Sequence, residues 1–135
     1  MTDSDRAHAV QRFSEWQQYA DDDEKLIQVA LEGQGPANPI CFHAQQIAEK
    51  YLKGFLAYHR QPPIKSHNLQ QLLNACKSLD PMFATLDEPV VQLSVYYIET
   101  RYPGDLPEFT LEEAKNAYAT ALQVKEFVLN KIQVS

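Results

Sequence analysis

Three groups of side chains in this sequence have the types and spacings that chemistry requires. The first is a polar row, Gln46, Glu49, Lys50 and Lys53, whose three- and four-residue steps lay it along one side of a helix. Its lysines suit a positive wall for a phosphate. The plainer reading is a solvated ladder in which Glu49 pairs with Lys53 four residues on. The second group is Arg101-Tyr102-Pro103. A guanidinium fork suits bidentate binding of phosphate or carboxylate, the tyrosine ring offers a surface for a base, and the proline directs the chain after it. The same arginine also suits a helix C-terminus, or an internal pairing with Asp23 or Glu49. The third is His67, which stands beside Lys65 and a helix start and reads either as a capping residue or as a phosphate donor and general acid–base. His8, His43 and His59 show no partner pattern. No glycine-rich phosphate loop, nucleophile elbow or H-E-x-x-H stretch is present.

These residues need helices to position them. The central stretch, Ile40 to His59, carries Ile40, Ala44, Ile47, Ala48, Tyr51, Leu52, Phe55 and Leu56 at helical spacing, a face wide enough for more than one partner helix. A first helix, capped by Ser4 or Asp5, has the face Ala9, Phe13, Trp16, Ala20, Ile27, Ala30 and Leu31 and stops at Gly33-Gln34-Gly35-Pro36. Within it the acidic run puts Asp23 on or near the inward side, where it needs a cation, while Asp21, Asp22 and Glu24 are expected in solvent. After Gln61-Pro62-Pro63, a short helix capped by Ser66 runs to Leu79 with Leu69, Leu72, Leu73 and Cys76 as its apolar edge. A fourth helix is expected from Glu88 to Thr100, using Val91, Leu93, Tyr96, Tyr97 and Ile98. A last one starts at Thr110 with Glu113 completing a capping box. The reading is all-α: one domain over 1–135, an antiparallel up-and-down four-helix bundle with an additional short helix.

Bulk properties narrow the function. Of 135 residues, 44% are hydrophobic and 22% charged, and 4 are glycine, as in ordinary globular chains. The formal charge of −6 and pI near 5.1 deny the chain the broad basic field of non-specific nucleic-acid binders. Cys41 and Cys76 lie on separate helices without metal-ligand spacing, so they are expected as reduced thiols packed at helix surfaces and no metal is expected. No apolar run approaches the ~20 residues of a membrane span, and no signal-like start is seen; a cytoplasmic location is expected.

Three stretches together carry a resemblance. They are Trp16 through Asp23; AQQIAEKYLKGFL, Ala44 to Leu56, followed by Ser66-His67-Asn68-Leu69; and Tyr96-Tyr97 leading to Arg101-Tyr102-Pro103. In that order and at those separations the chain resembles the HEPN family, the higher-eukaryote and prokaryote nucleotide-binding domains. The resemblance implies a helical bundle that forms a homodimer, and pairing with minimal nucleotidyltransferases in toxin–antitoxin or defence systems. It also implies a nucleotide ligand such as ATP or GTP. Some relatives are metal-independent ribonucleases using an Arg and a His with four to six residues between them near the end of a late helix. Here no histidine follows Arg101 at that spacing. An Arg-x6-His does run from Arg60 to His67, a chance-prone pattern in the loop after the central helix.

The expectation is therefore a non-catalytic module that dimerises and binds a nucleotide or a nucleotidyltransferase partner. Arg101, Tyr102, Lys50, His67 and Lys53 would line the nucleotide site, supported by Asp23, Gln46 and Glu49. The alternatives are a ribonuclease working through Arg101 and His67, and a structural adaptor. Tyr96, Tyr97 or Tyr102 could also accept a nucleotidyl group from a partner, as the resemblance implies for some paired systems.

Overall fold

The computed structural model describes residues 2–97 and 107–133. Five α-helices occur in this order: α1 Asp3–Glu32, α2 Ala37–Tyr58, α3 Leu69–Leu79, α4 Asp87–Ser94 and α5 Leu111–Gln133, with a 3-10 turn at Pro81–Leu86 between α3 and α4. No strand occurs among the described residues, and none of their helices is long and apolar enough to cross a membrane.

The broad apolar face of α2 makes it the centre of the bundle, and it packs against α1, α3, α4 and α5. Ile40, Ala44, Ile47, Ala48 and Leu52 on that face are essentially without solvent contact, as are Leu72, Leu73, Phe83, Val90, Leu93 and Ala121 opposite them. Phe83, from the 3-10 turn that the sequence reading did not foresee, packs between Phe55 of α2 and Phe127 of α5, at 4.4 and 4.9 Å between ring centroids, tilted to the first and edge-on to the second. The turn forms because Asp80 ends α3 and its carboxylate accepts from the Met82 amide, with Pro81 supplying the bend.

Antiparallel pairing of α1 with α2 follows from their contacts. Arg12 donates to the Ala57 and Tyr58 carbonyls at 2.7 and 3.0 Å, while Asp23 meets His43 and Lys50. The arginine thereby adds a donor to carbonyls of the last turn of α2, of which Ala57 also accepts from the Arg60 amide. Close approach is possible because Gly54 has no side chain: a Cβ there would lie 3.1 Å from the Phe13 ring and 3.3 Å from Trp16 Cβ. In the connection, Gly35 has φ +121°, a conformation L side chains rarely adopt.

Several local expectations are corrected. Thr2 caps α1, with Asp5 at the third helical position completing the capping box, because a Thr–x–x–Asp pair satisfies two orphan donors where Ser4 satisfies one. Asn68 rather than Ser66 caps α3, and Ser66 instead accepts from the Asn68 amide. The fourth helix ends at Ser94 and is followed by a turn through Tyr96; Val91, expected to pack, is exposed, and Val90 takes its place in the core. The capping box of Thr110 and Glu113 is present as expected, just before α5. Cys41 and Cys76 are free thiols in the interior rather than at helix surfaces.

Candidate functional site

A strip of polar side chains runs along α2 where α1 and the segment after α2 meet it. Steps of three, four and seven bring His43, Gln46, Glu49, Lys50 and Lys53 onto this one strip. Two buried carboxylates anchor it. Asp23 of α1, 5% exposed, takes His43 Nδ1 on one oxygen at 2.7 Å and the Lys50 ammonium on the other. Glu49, 3% exposed, takes the Lys53 ammonium at 3.0 Å and His67 Nδ1 at 3.0 and 3.1 Å. Gln46 donates to Glu49 at 3.3 Å and to the side-chain Oε1 of Gln45 at 2.7 Å. The fully buried Gln45 in turn donates to the His67 backbone carbonyl at 3.3 Å. Thus α2 holds both the ring and the backbone of His67, which belongs to an otherwise irregular segment.

A buried charge without partners is strongly unfavourable, so Asp23 gathers two cationic or donor groups and Glu49 three. An ionised carboxylate only accepts, which places a proton on Nδ1 of His43 and of His67. Each ring then has Nε2 as an acceptor when neutral and as a second donor when protonated. The His67 side chain is 46% exposed and stacks on the Tyr97 ring at 5.1 Å and 15°. Tyr97 also approaches Phe42 of α2, at 6.3 Å. An open cleft of about 490 Å3 lies there, lined by Lys65, Ser66, His67, Asn68, Leu69, Ser94 and Tyr97.

The structure brings together Asp23 with Lys50, and Glu49 with Gln46, Lys53 and His67. The inward cation partner expected for Asp23 is Lys50. The Glu49–Lys53 pair is as expected, but it is buried rather than solvated, because the segment carrying His67 lies over Glu49. Arg101 and Tyr102 lie outside the described residues. Arg60 lines a separate pocket with Asp5, His8 and Arg12 and does not share the His67 cleft.

Sequence reasoning passed over His43, Gln45 and Glu24. The signal for His43 was its seven-residue step to Lys50, two turns of one helix face, opposite an inward Asp23. Glu24, expected in solvent, accepts from Lys125 and from Tyr118 at 2.8 Å each and ties α1 to α5. Burial pushes its carboxyl up, but those two bonds outweigh burial and hold it below the ordinary value. Among the described residues no group of three or more His, Cys, Asp or Glu is arranged to hold a metal ion.

Comparison with known proteins adds three findings. The HEPN domain profile matches residues 13–132. The solved structure of TT1696 from Thermus thermophilus is 32% identical and superposes with a TM-score of 0.73, covering 89% of this chain and 98% of that one. ST0689, an archaeal HEPN homologue, is 25% identical with a TM-score of 0.72, covering 90% of this chain and 98% of its own. No curated protein matches the chain.

Proposed function

This chain belongs to the HEPN domain family, and on that footing we propose that it is a non-catalytic module that dimerises and binds a nucleotide. The ligand is one such as ATP or GTP, free or presented by a partner nucleotidyltransferase of a toxin–antitoxin or defence pair. The observation that carries this reading is the His67–Tyr97 stack over an open cleft, with His67 oriented by a buried carboxylate. A ring held by Glu49 offers its other nitrogen to a ligand without losing further freedom, which lowers the cost of binding. Lys50 and Lys53 already have carboxylate partners, so in this reading they orient the strip, and Arg101, beside Tyr102, supplies the phosphate contact that its chemistry suits.

Calorimetric titration with ATP, GTP and their monophosphates tests this on wild type, His67→Ala and Arg101→Ala. Saturable binding weakened by both substitutions supports the site. Absence of heat with every nucleotide moves the protein to a partner-binding role, and capture of the nucleotidyltransferase follows. Light scattering at micromolar concentration tests the dimer, against which a strict monomer would count.

A second reading, a metal-independent ribonuclease, is favoured by the carboxylate–histidine pair of Glu49 and His67, an arrangement that orients a general acid–base. Incubation with RNA in EDTA decides it. Cleavage abolished by His67→Ala supports the enzyme, and intact RNA refutes it.

A further inference from the structure

Next to the His67 cleft lies a second, more enclosed cavity of about 270 Å3, walled by Leu56, Pro62, Pro63 and Ile64 around Trp16. Its lining is mainly carbon, and the two lysines Lys53 and Lys65 contribute to it. The wall is built before any ligand arrives, because the paired prolines fix the backbone of the segment that forms it. Whole-ligand sites occupy roughly 300–1,000 Å3, so this cavity has room for one ring system and not for a complete nucleotide.

Two links join the cavity to the cleft. Lys65 lines both, and the chain Lys53–Glu49–His67 runs between them, with Lys53 at the cavity and His67 at the cleft. The charges differ along this boundary. Lys53 sits 5.5 Å from the Trp16 ring centroid and is paired with Glu49, whereas Lys65 is exposed and makes no ion pair among the described residues. An apolar ring-sized cavity with an unneutralised ammonium at its mouth complements a flat heteroaromatic group that carries an anionic substituent.

We infer that the Trp16 cavity takes the base of a nucleotide whose phosphates pass Lys65 into the His67 cleft. This rests on the nucleotide reading of that cleft and extends it to a second subsite. Base discrimination then resides in the Trp16 cavity, and phosphate affinity at Lys65 and beyond.

Trp16 is the chain's single tryptophan, so its fluorescence reports on the wall of this cavity. ATP and GTP are titrated against the full chain, beside adenosine, which lacks phosphates, and inorganic triphosphate, which lacks a base. Calorimetry is run in parallel. The inference expects a saturable change of Trp16 emission with ATP or GTP and none with triphosphate. It also expects about tenfold weaker ATP binding in Lys65→Ala, the loss of one charge-assisted contact, with the response to adenosine unchanged. Ala57→Met, which fills the cavity from its α2 wall, must weaken ATP binding by calorimetry while keeping wild-type helix content. ATP heat without any Trp16 change, and with full affinity in Ala57→Met, overturns the base subsite and leaves the nucleotide reading standing. A Trp16 response to ATP that is identical in Lys65→Ala overturns the phosphate path. No heat and no emission change with any probe overturns both.

Discussion

The two sides of α2 solve opposite problems. Toward α3, α4 and α5 the helix buries mainly carbon and sulfur, with Ile40, Cys41, Ala44 and Leu52 at 1% exposure or less. Toward the end of α1 and the segment after α2 it buries Asp23 and Glu49, and each is matched by a lysine and a histidine. The first side is stabilised by water exclusion, proportional to area and indifferent to direction. The second gains little net stability, since taking charges out of water costs about what their pairing returns. A strip that stability does not require, facing an open cleft and a ring-sized cavity, is where function is expected. Stability and binding should therefore respond to substitution on different sides of one helix.

The largest stability effect is expected on the apolar side. Phe83→Ala removes the ring that joins Phe55 to Phe127 and should cost about 3–5 kcal/mol in urea unfolding. A cost under about 1 kcal/mol would show that this side is loosely packed and would break the comparison. On the polar side, Asp23→Ala leaves Lys50 and His43 without their carboxylate and should cost about 2–3 kcal/mol. That is below the ~3–5 kcal/mol of a fully buried pair because both partners reach solvent. The double variant Asp23→Ala/Lys50→Met should recover part of that loss, and failure to recover would show that the pair itself is strongly stabilising.

A smaller effect sharpens the contrast through pH. Glu24 has a folded value below its ordinary 4.5, since the bonds from Lys125 and Tyr118 outweigh its burial. Its contribution is complete above 4.5 and is lost as pH falls through the lower folded value. Lys125→Met should cost about 1 kcal/mol near neutrality and make the acid side of the stability profile shallower; thermal unfolding across that range checks it. The smallest signal is an absence of reaction. Burial pushes the Cys41 thiol to about 11, with Glu113 adding to the effect, and the Cys76 thiol to about 12. An aromatic disulfide reagent in mildly alkaline buffer should label neither in the folded protein and both in urea. Rapid labelling of the folded chain would mean that the apolar side opens locally.

Much of this protein was determined by the sequence alone. The spacing of Ile40, Ala44, Ile47, Leu52 and Phe55 specified a central helix with a broad buried face. The breaker clusters at Gly33–Pro36 and Gln61–Pro63 specified where helices stop, and Thr110 with Glu113 specified where the last begins. These are local properties, set by periodicity, by missing backbone donors and by side chains that cap within three residues. The inward position of Asp23 was legible for the same reason. Which cation it meets was not, because Lys50 and His43 approach it from another helix. Glu49 looked like one more member of a solvated row until the segment carrying His67 folded over it. The Trp16 cavity exists only where α1, α2 and the proline-stiffened segment come together. Tertiary structure decided all of these, since pairing across helices depends on how far and at what height two faces approach. Gly54 shortens that distance, and no spacing within either helix encodes it.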